Sequence, residues 1–385
     1  MSANTLTNLI PDIIESMDIV CREMVGFIPA VMRDSSAERA AVGQTIRWPV
    51  TTKKTPTPIT PSYIGPDASG EDVSGGPTLS ITKSYSVPFA WNGEETKGAM
   101  NAGFYAKLFQ QQVQQAMRGI INMVEADLAS LYIYASRACK TTGLKLFDDT
   151  DGTESLALLL QILKDNGSAG DLQLVLGSSA AARMRSARNL FKVNEAGSDA
   201  LLRRGELGSL LGFGVHESAG IVKHTNGTYA NAVVTDNALD GTALTTTGCT
   251  AAVILAGDLL KIANDSENVY VSRNVGTGAG TLLTINKPGA KVARVGQTDA
   301  ITPLIATSYI PNMAFSREAI ALVTRVPAQP EGGDGATDVY VVTDPLSGLA
   351  MEIRKYGQYH QNSWEVGMSW GYTAVKSEMI ALLAQ

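Results

Sequence analysis

Residues 43–92 read GQTIRWPVTT KKTPTPITPS YIGPDASGED VSGGPTLSIT KSYSVPFAWN. Seven prolines, Pro49, Pro56, Pro58, Pro61, Pro66, Pro77 and Pro88, stand here among Thr, Ser and Gly. Each proline removes a backbone donor, so neither a helix nor a central strand can run through the middle of the stretch. Residues 45–48 and 79–85 alternate enough to pair as two strands, with 64–76 as a loose tip. A lone two-stranded ribbon is only marginally stable in water. The ribbon therefore has to lean on something, either the body of its own chain or another subunit.

Helical periodicity frames the ribbon on both sides. Upstream, Ile10, Ile13, Ile14, Met17, Cys21, Met24 and Val25 recur at three and four, predicting an amphipathic helix over 6–25 that Gly26 ends. Pro11 suits its first turn. Such a helix either packs on its own domain or serves as an arm lying on a neighbour. Downstream, Phe104, Leu108, Val113, Met117, Ile120, Val124, Leu128, Leu131 and Ala135 trace one face. The simplest reading is one helix from about 101, roughly 50 Å long. A coiled coil competes, but the heptad is not strict and charges at its flanks are sparse.

Further on, Asp151-Gly152-Thr153-Glu154 predicts a capping box before a helix over 155–164. Residues 172–176 read as a buried strand, 178–190 as a helix with a Ser cap, and 213–217 as another strand. That alternation suggests a compact α/β lobe. Residues 221–302 turn to Gly, Thr, Ala, Asn and Val, with short strand-like runs at 251–255, 259–263, 269–272 and 282–286. They predict a small all-β insertion, a barrel of short strands. Residues 339–343, a turn at 344–348 and a strand from Leu349 follow. In the last strand Trp364, Val366, Met368, Trp370 and Tyr372 alternate with small or polar residues, predicting one buried face and one open one.

The chain has 385 residues, 44% apolar and 18% charged, with a formal net charge of −6. Low charge hints that much of the surface meets protein, and no basic stripe is present to grip phosphate. Cys21, Cys139 and Cys249 are scattered and form no CxxC, which predicts buried reduced thiols. Neither a secretory leader nor an apolar run of membrane length is read, so synthesis in the cytoplasm and no membrane partner are expected.

Catalytic patterns are missing from the sequence. No Gly-Lys dipeptide exists, which rules out a GxxxxGK[ST] phosphate loop. Gly276-Thr277-Gly278-Ala279-Gly280 follows no parallel strand and reads as a β-loop. His216, His224 and His360 form neither HExxH nor a triad context, so they read as structural. Asp148, Asp149 and Asp151 depart from a calcium-loop spacing, and capping accounts for Asp151. The expectation is no enzyme activity, no cofactor and no metal.

Several stretches resemble a known family when taken in order. They are LTNLIP at 6–11, REMVGFIPAV at 22–31, ERAAVGQT at 38–45, LLGFGVHES at 210–218, AFSREAIAL at 314–322, and VTDPLSGL at 342–349 through Trp370-Gly371. The chain thereby resembles the gene-five coat proteins of short-tailed bacteriophages, major capsid proteins. The likeness spans nearly the whole length except 221–302, and its motifs are packing and turn sequences. It implies an α+β fold of the Hong Kong 97 type: N-terminal arm 1–42, extended loop 43–92, peripheral domain 93–140 with 308–385 carrying a spine helix, axial domain 141–220, and all-β insertion domain 221–307. It also implies self-assembly into pentamers and hexamers of an icosahedral virion shell around double-stranded DNA, built in the bacterial host cytoplasm. Scaffolding protein and portal protein are the implied partners, with a decoration protein as an optional one and the packaged DNA held non-specifically.

On that reading the ribbon lies across an adjacent subunit. Trp48, Ile81, Tyr85, Phe89 and Trp91 become its expected apolar anchors, and Lys53, Lys54, Glu71 and Asp72 its polar contacts. Cross-linking through Lys53 or Lys54 has no support in the sequence. Two alternatives compete: an encapsulin-type cellular compartment, and a β-rich tail or adhesion protein.

Overall fold

The computed structural model describes residues 23–47, 78–139, 146–147, 153–168, 170–187, 208–229, 232–247, 253–265, 267–277, 282–344 and 347–385. Two sheets organise them. In the first, Met32–Ala40 runs parallel to Ile320–Pro327, which is antiparallel to Gln361–Ala374. Ala350–Gln358 and then Ala336–Thr343 continue the sheet. Lys83–Asn92 joins Gln361–Ala374 from its other side, from Asn92↔Gln361 to Lys83↔Trp370.

A helix, Tyr105–Ala129, lies against this sheet and buries Met117, Ile120, Ile121, Val124 and Leu128 in one core with Val366, Met368 and Trp370. The alternation in the last long strand thus meets the helical stripe, as the two periodicities require. At 25 residues the helix is about 37 Å long, shorter than the periodicity predicts. A separate helix, Gly93–Asn101, precedes it, and between them Gly103 adopts φ +78, which a side chain would resist. At the far end the chain tightens into a 3-10 turn, Ser130–Tyr134. The face continues through these breaks, so periodicity alone reads them as one rod.

The opposite face of the sheet is not open. Gly367, Ser369 and Gly371 are buried as well as the aromatics. Thr78–Ser80 and the residue after it lie across Gly371, where a Cβ would sit 2.2 Å from the Ser80 carbonyl oxygen, and Pro327 lies over Gly367, 3.4 Å from where its Cβ would be. Thr82 N donates to the Trp370 carbonyl at 3.1 Å.

The second sheet has twelve strands. Leu172–Gly177, buried along its whole length, pairs parallel with Phe213–Ser218 and antiparallel with Pro311–Ser316. Ser178–Ser186 follows the first of these strands, and Glu154–Asp165 packs Leu156, Leu159 and Leu163 into the same core as Leu174, Leu176 and Phe213. This is the α/β lobe expected from the alternation. Its helix starts differ: Thr153 and Gly177 hold the N-cap positions without side-chain cap bonds, Ser178 is already helical, and Asp151 lies outside the described residues. Pro311–Ser316 and Ile380–Ala384 also belong to this sheet, so the stretch 308–385 is divided between the two sheets.

In residues 221–302 every regular element among the described residues is a strand, and they share a core of Val234, Leu244, Ile254, Leu260, Ile262, Tyr270, Leu283, Ile285 and Ile301. From Leu282–Thr284 through Ala243–Thr247, Val233–Asp236, Asp299–Pro303 and Leu259–Ile262 to Val269–Val271 each strand pairs with the next, and the bridge Ser272↔Ile285, with Arg273 N donating to the Thr284 carbonyl at 2.9 Å, brings the two ends of this run together as in a small barrel. Val269–Val271 pairs with Arg137–Ala138, which runs parallel to Ile380–Ala384, so the strands extend the α/β lobe's sheet.

Candidate assembly surfaces

The root of the ribbon is built from three short pieces. Thr45–Arg47 and Thr78–Ser80 pair antiparallel, Thr45 opposite Ser80 and Ile46 opposite Leu79, as their alternation predicts. Gly43 N donates to the Ile81 carbonyl at 2.9 Å and Ile81 N to the Gln44 carbonyl at 3.0 Å. Leu79 then buries itself on Ala321 and Val323, with Ile46 and Val375 beside it. This apolar contact is small, and it is borrowed from the body.

Of the expected ribbon anchors, Trp48, Lys53, Lys54, Glu71 and Asp72 lie outside the described residues. The others sit in or beside the body. Ile81 is 1% exposed, and Trp91 is 4% exposed with its indole N–H on Gln112 Oε1 at 2.6 Å. Phe89 stacks on Trp364 with centroids 5.8 Å apart and meets Phe109 edge-on. Packing within the same chain accounts for the burial of all three. Residues 83–92 are thus a body strand, and the ribbon's base ends at about 82. Tyr85 is 47% exposed beside Trp370, and it remains available to a neighbour.

The segment at 23–31 is fastened by two glutamates. Residues 23–26 are not helical, and Gly26 caps a single turn, Phe27–Ala30; residues 6–22 of the predicted helix lie outside the described residues. Glu23 accepts from Arg118 Nε at 2.6 Å and from Asn122 Nδ2 at 2.7 Å, and the Arg118 hydrogen bonds followed by that from Asn122 pull its carboxyl down to about 2. Glu125, on the long helix, accepts from Phe27 N at 3.1 Å, Ile28 N at 2.9 Å and Ser218 Oγ at 2.8 Å. Burial raises the Glu125 pKa above the usual carboxylate value, opposed by the Ile28, Ser218 and Phe27 donors. Phe27 and Ile28 are wholly buried, with Phe27 stacked on Phe315 at 6.3 Å. Nothing in the spacing of Glu125 distinguishes it from a surface glutamate, so sequence reasoning missed it.

Lys83 Nζ and Trp370 Nε1 both donate to Asp127, at 2.6 and 2.9 Å, tying the strand that leaves the ribbon to the long helix. Hydrogen bonding to Asp127 raises the Lys83 pKa. Asn92 forms a capping box with Glu95, donor to acceptor 2.7 and 3.0 Å. The Asn-x-x-Glu spacing carried that signal in the sequence.

The histidines hold structural positions. His224 bridges Tyr132 Oη at 2.9 Å and Asp258 Oδ1 at 2.8 Å, and Asp258 also accepts from Leu255 N at 2.8 Å. His216 sits 2.9 Å from Gln173 Oε1, its pKa lowered by burial and by Arg317. His360 occupies a hairpin turn at φ +53. Among the described residues no group of three His, Cys, Asp or Glu could hold a metal ion. Two depressions, at Glu352 and Arg354 and at Arg137 and Glu267, are half open and about 120 Å³ each. Both fall well below the several hundred Å³ of an ordinary ligand pocket.

No known family profile and no curated protein sequence matches the chain. Among solved structures it is similar to that of Mycobacterium phage Che8, with 14% identity, a TM-score of 0.49 and 98% of each chain covered. It is similar to the capsid structure of cyanophage P-SCSP1u at 10% identity and a TM-score of 0.47, covering 96% of this chain and 91% of that one. It is also similar to the capsid of Ralstonia phage GP4 at 10% identity and a TM-score of 0.44, covering 100% and 98%.

Proposed function

We propose that this chain is the major capsid protein of a tailed bacteriophage, a subunit of the Hong Kong 97 type in the manner of the gene-five coat proteins, which self-assembles into an icosahedral shell around double-stranded DNA. One observation carries the reading. Among the described residues the ribbon stem is two three-residue strands seated on a body sheet through Leu79 and Ile46, and in the sequence thirty residues with six prolines, 48–77, separate its arms. A stretch so rich in proline, Thr, Ser and Gly has too little apolar surface to bury a core of its own. A neighbouring subunit supplies the missing surface. Because the ribbon of one copy meets the body of the next, the contact is head-to-tail and closes into rings of five or six.

Within the ribbon, Trp48, Lys53, Lys54, Glu71, Asp72 and Tyr85 are the proposed contact residues. Scaffolding and portal proteins are proposed partners in assembly, with a decoration protein as an optional one. The net charge of −6 suits a shell that holds DNA without gripping it.

The test is to replace residues 50–75 by a short Gly-Ser linker, leaving the paired root intact. The expected product is a folded, soluble subunit with the parent's melting temperature that forms no shells in electron micrographs, alone or with a scaffold. Particles of normal size and yield from the deletion would overturn the reading.

A further inference from the structure

We propose that the free edge of the strand Ala336–Thr343 is a joint, at which a second copy of this chain adds its own Ala336–Thr343 antiparallel across a two-fold axis. The inference rests on the shell reading and supplies a contact that reading lacks. Rings closed by head-to-tail contacts still need a second, different contact to join ring to ring, and a self-complementary patch meets that need.

The strand pairs only with Ala350–Gln358, and among the described residues no strand lies on its other side. Four consecutive apolar residues stand open there: Val339 at 37%, Tyr340 at 59%, Val341 at 48% and Val342 at 37%. Consecutive residues point to opposite faces of a strand, so neither face is covered. Such an edge presents unpaired backbone groups next to exposed apolar side chains, which is a template for another strand.

Contrast within the same sheet makes this exposure informative. The edge strand Met32–Ala40 carries Arg33, Asp34, Glu38 and Arg39, and its register breaks between Ser35 and Arg39. The edge strand Lys83–Asn92 carries Lys83 and Pro88. Charges, bulges and proline are the devices by which edges are kept from pairing. Ala336–Thr343 has no Lys, Arg or Pro; its one charge, Asp338, and its one register shift, between Ala336 and Asp338, both lie at its first end, and the register from Val339 to Thr343 is regular. Two edges of this sheet are guarded, and the third is left competent to pair.

Its own copy is the occupant that fits. With no charge pattern and no pocket, this edge selects by main-chain hydrogen bonds and matched apolar pairs. A two-fold axis at Tyr340 places Val339 opposite Val341 and Asp338 opposite Val342. The single charge then never faces its copy, and the apolar run meets itself.

The double variant Val339→Lys with Val341→Lys, made in the full chain, tests the joint, because both sites are exposed and the fold does not depend on them. The expected result is an unchanged melting temperature with particle yield reduced about tenfold or more, leaving ring-sized species in sedimentation. Particles at the parent's yield would overturn the inference. Independently, Tyr340→Cys brings two thiols together at the axis. Mild oxidation of assembled material is expected to give disulfide-linked dimers that the parent chain does not give, and their absence also overturns it. If the parent forms filaments or dimers that the double variant disperses, the joint stands and the shell reading falls. A parent chain that stays monomeric at high concentration overturns both.

Discussion

Two parts of this molecule share a Thr- and Gly-rich composition and short strands, yet they are stabilised in opposite ways. The β-rich stretch 221–302 carries Leu244, Leu260, Ile262, Tyr270 and Ile285 into a core of its own. The ribbon root, and with it the segment 23–31, has no such core and is fastened to surfaces that belong to other parts of the chain. Composition does not separate these cases. The density of large apolar residues does, because burial of apolar area is what offsets the entropy of ordering.

The largest test of that contrast is Arg294→Met in the self-supporting part. Arg294 is 2% exposed, donates to Asp299 Oδ2 at 2.7 Å and stands 3.8 Å from Asp265. Removing it leaves buried carboxylates without a cation, and stability measured by denaturant titration is expected to fall by about 3–5 kcal/mol. A loss under about 1 kcal/mol, the effect of a surface pair, would show the network to be solvated.

Next in size is a matched pair of truncations. Leu260→Ala, in the insertion's core, is expected to cost about 2–5 kcal/mol, and Leu79→Ala, on the ribbon root, about 2 kcal/mol, the bottom of that range. The two differ more in what they abolish. The first lowers the melting temperature of the free subunit, whereas the second is expected to leave a folded subunit whose assembly, followed by light scattering, is the larger casualty. Equal effects on melting and assembly from both would erase the distinction between self-supporting and borrowed structure.

The clasp at 23–31 gives a pH test with two opposite signs. Glu125 has a raised pKa in the folded chain, so its contribution is fully present below the unfolded carboxylate value and is lost as pH rises through the folded value. Glu23 is lowered to about 2, so its contribution is present above the unfolded value and lost as pH falls toward 2. Glu125→Gln is expected to remove the decline in stability on going from acid to neutral pH, and the mismatched amide costs about 1–3 kcal/mol at every pH. Glu23→Gln removes the acid-side loss, by no more than about 1 kcal/mol because that pair is partly solvated. Parallel pH profiles for parent and Glu125→Gln would count against the buried clasp.

The smallest expected effect lies where the chain leaves the body strand. Asn92→Ala removes the capping box of the helix Gly93–Asn101 and should cost about 1 kcal/mol, read as a small drop in melting temperature without loss of assembly.

Much of this architecture was legible in residue order. Periods of three to four and of two located the long helix and the last long strand, and the buried run at 172–176 with its following helix marked the α/β lobe. These are local properties, decided by which backbone conformations and which faces a short stretch can adopt.

Other features depended on what lies opposite. Ile81 and Trp91 read as anchors for a neighbour, but their own chain's sheet and helix cover them. Gly371 belongs to the face that reads as small and polar, and the ribbon root covers it. Glu125 became a clasp only because residues 27, 28 and 218 converge on it, and Val339 to Val342 became an exposed edge only because no strand follows theirs in the sheet. Burial and pairing are relations between segments distant in sequence, so tertiary structure alone decides them, whereas period and backbone preference are carried within each segment.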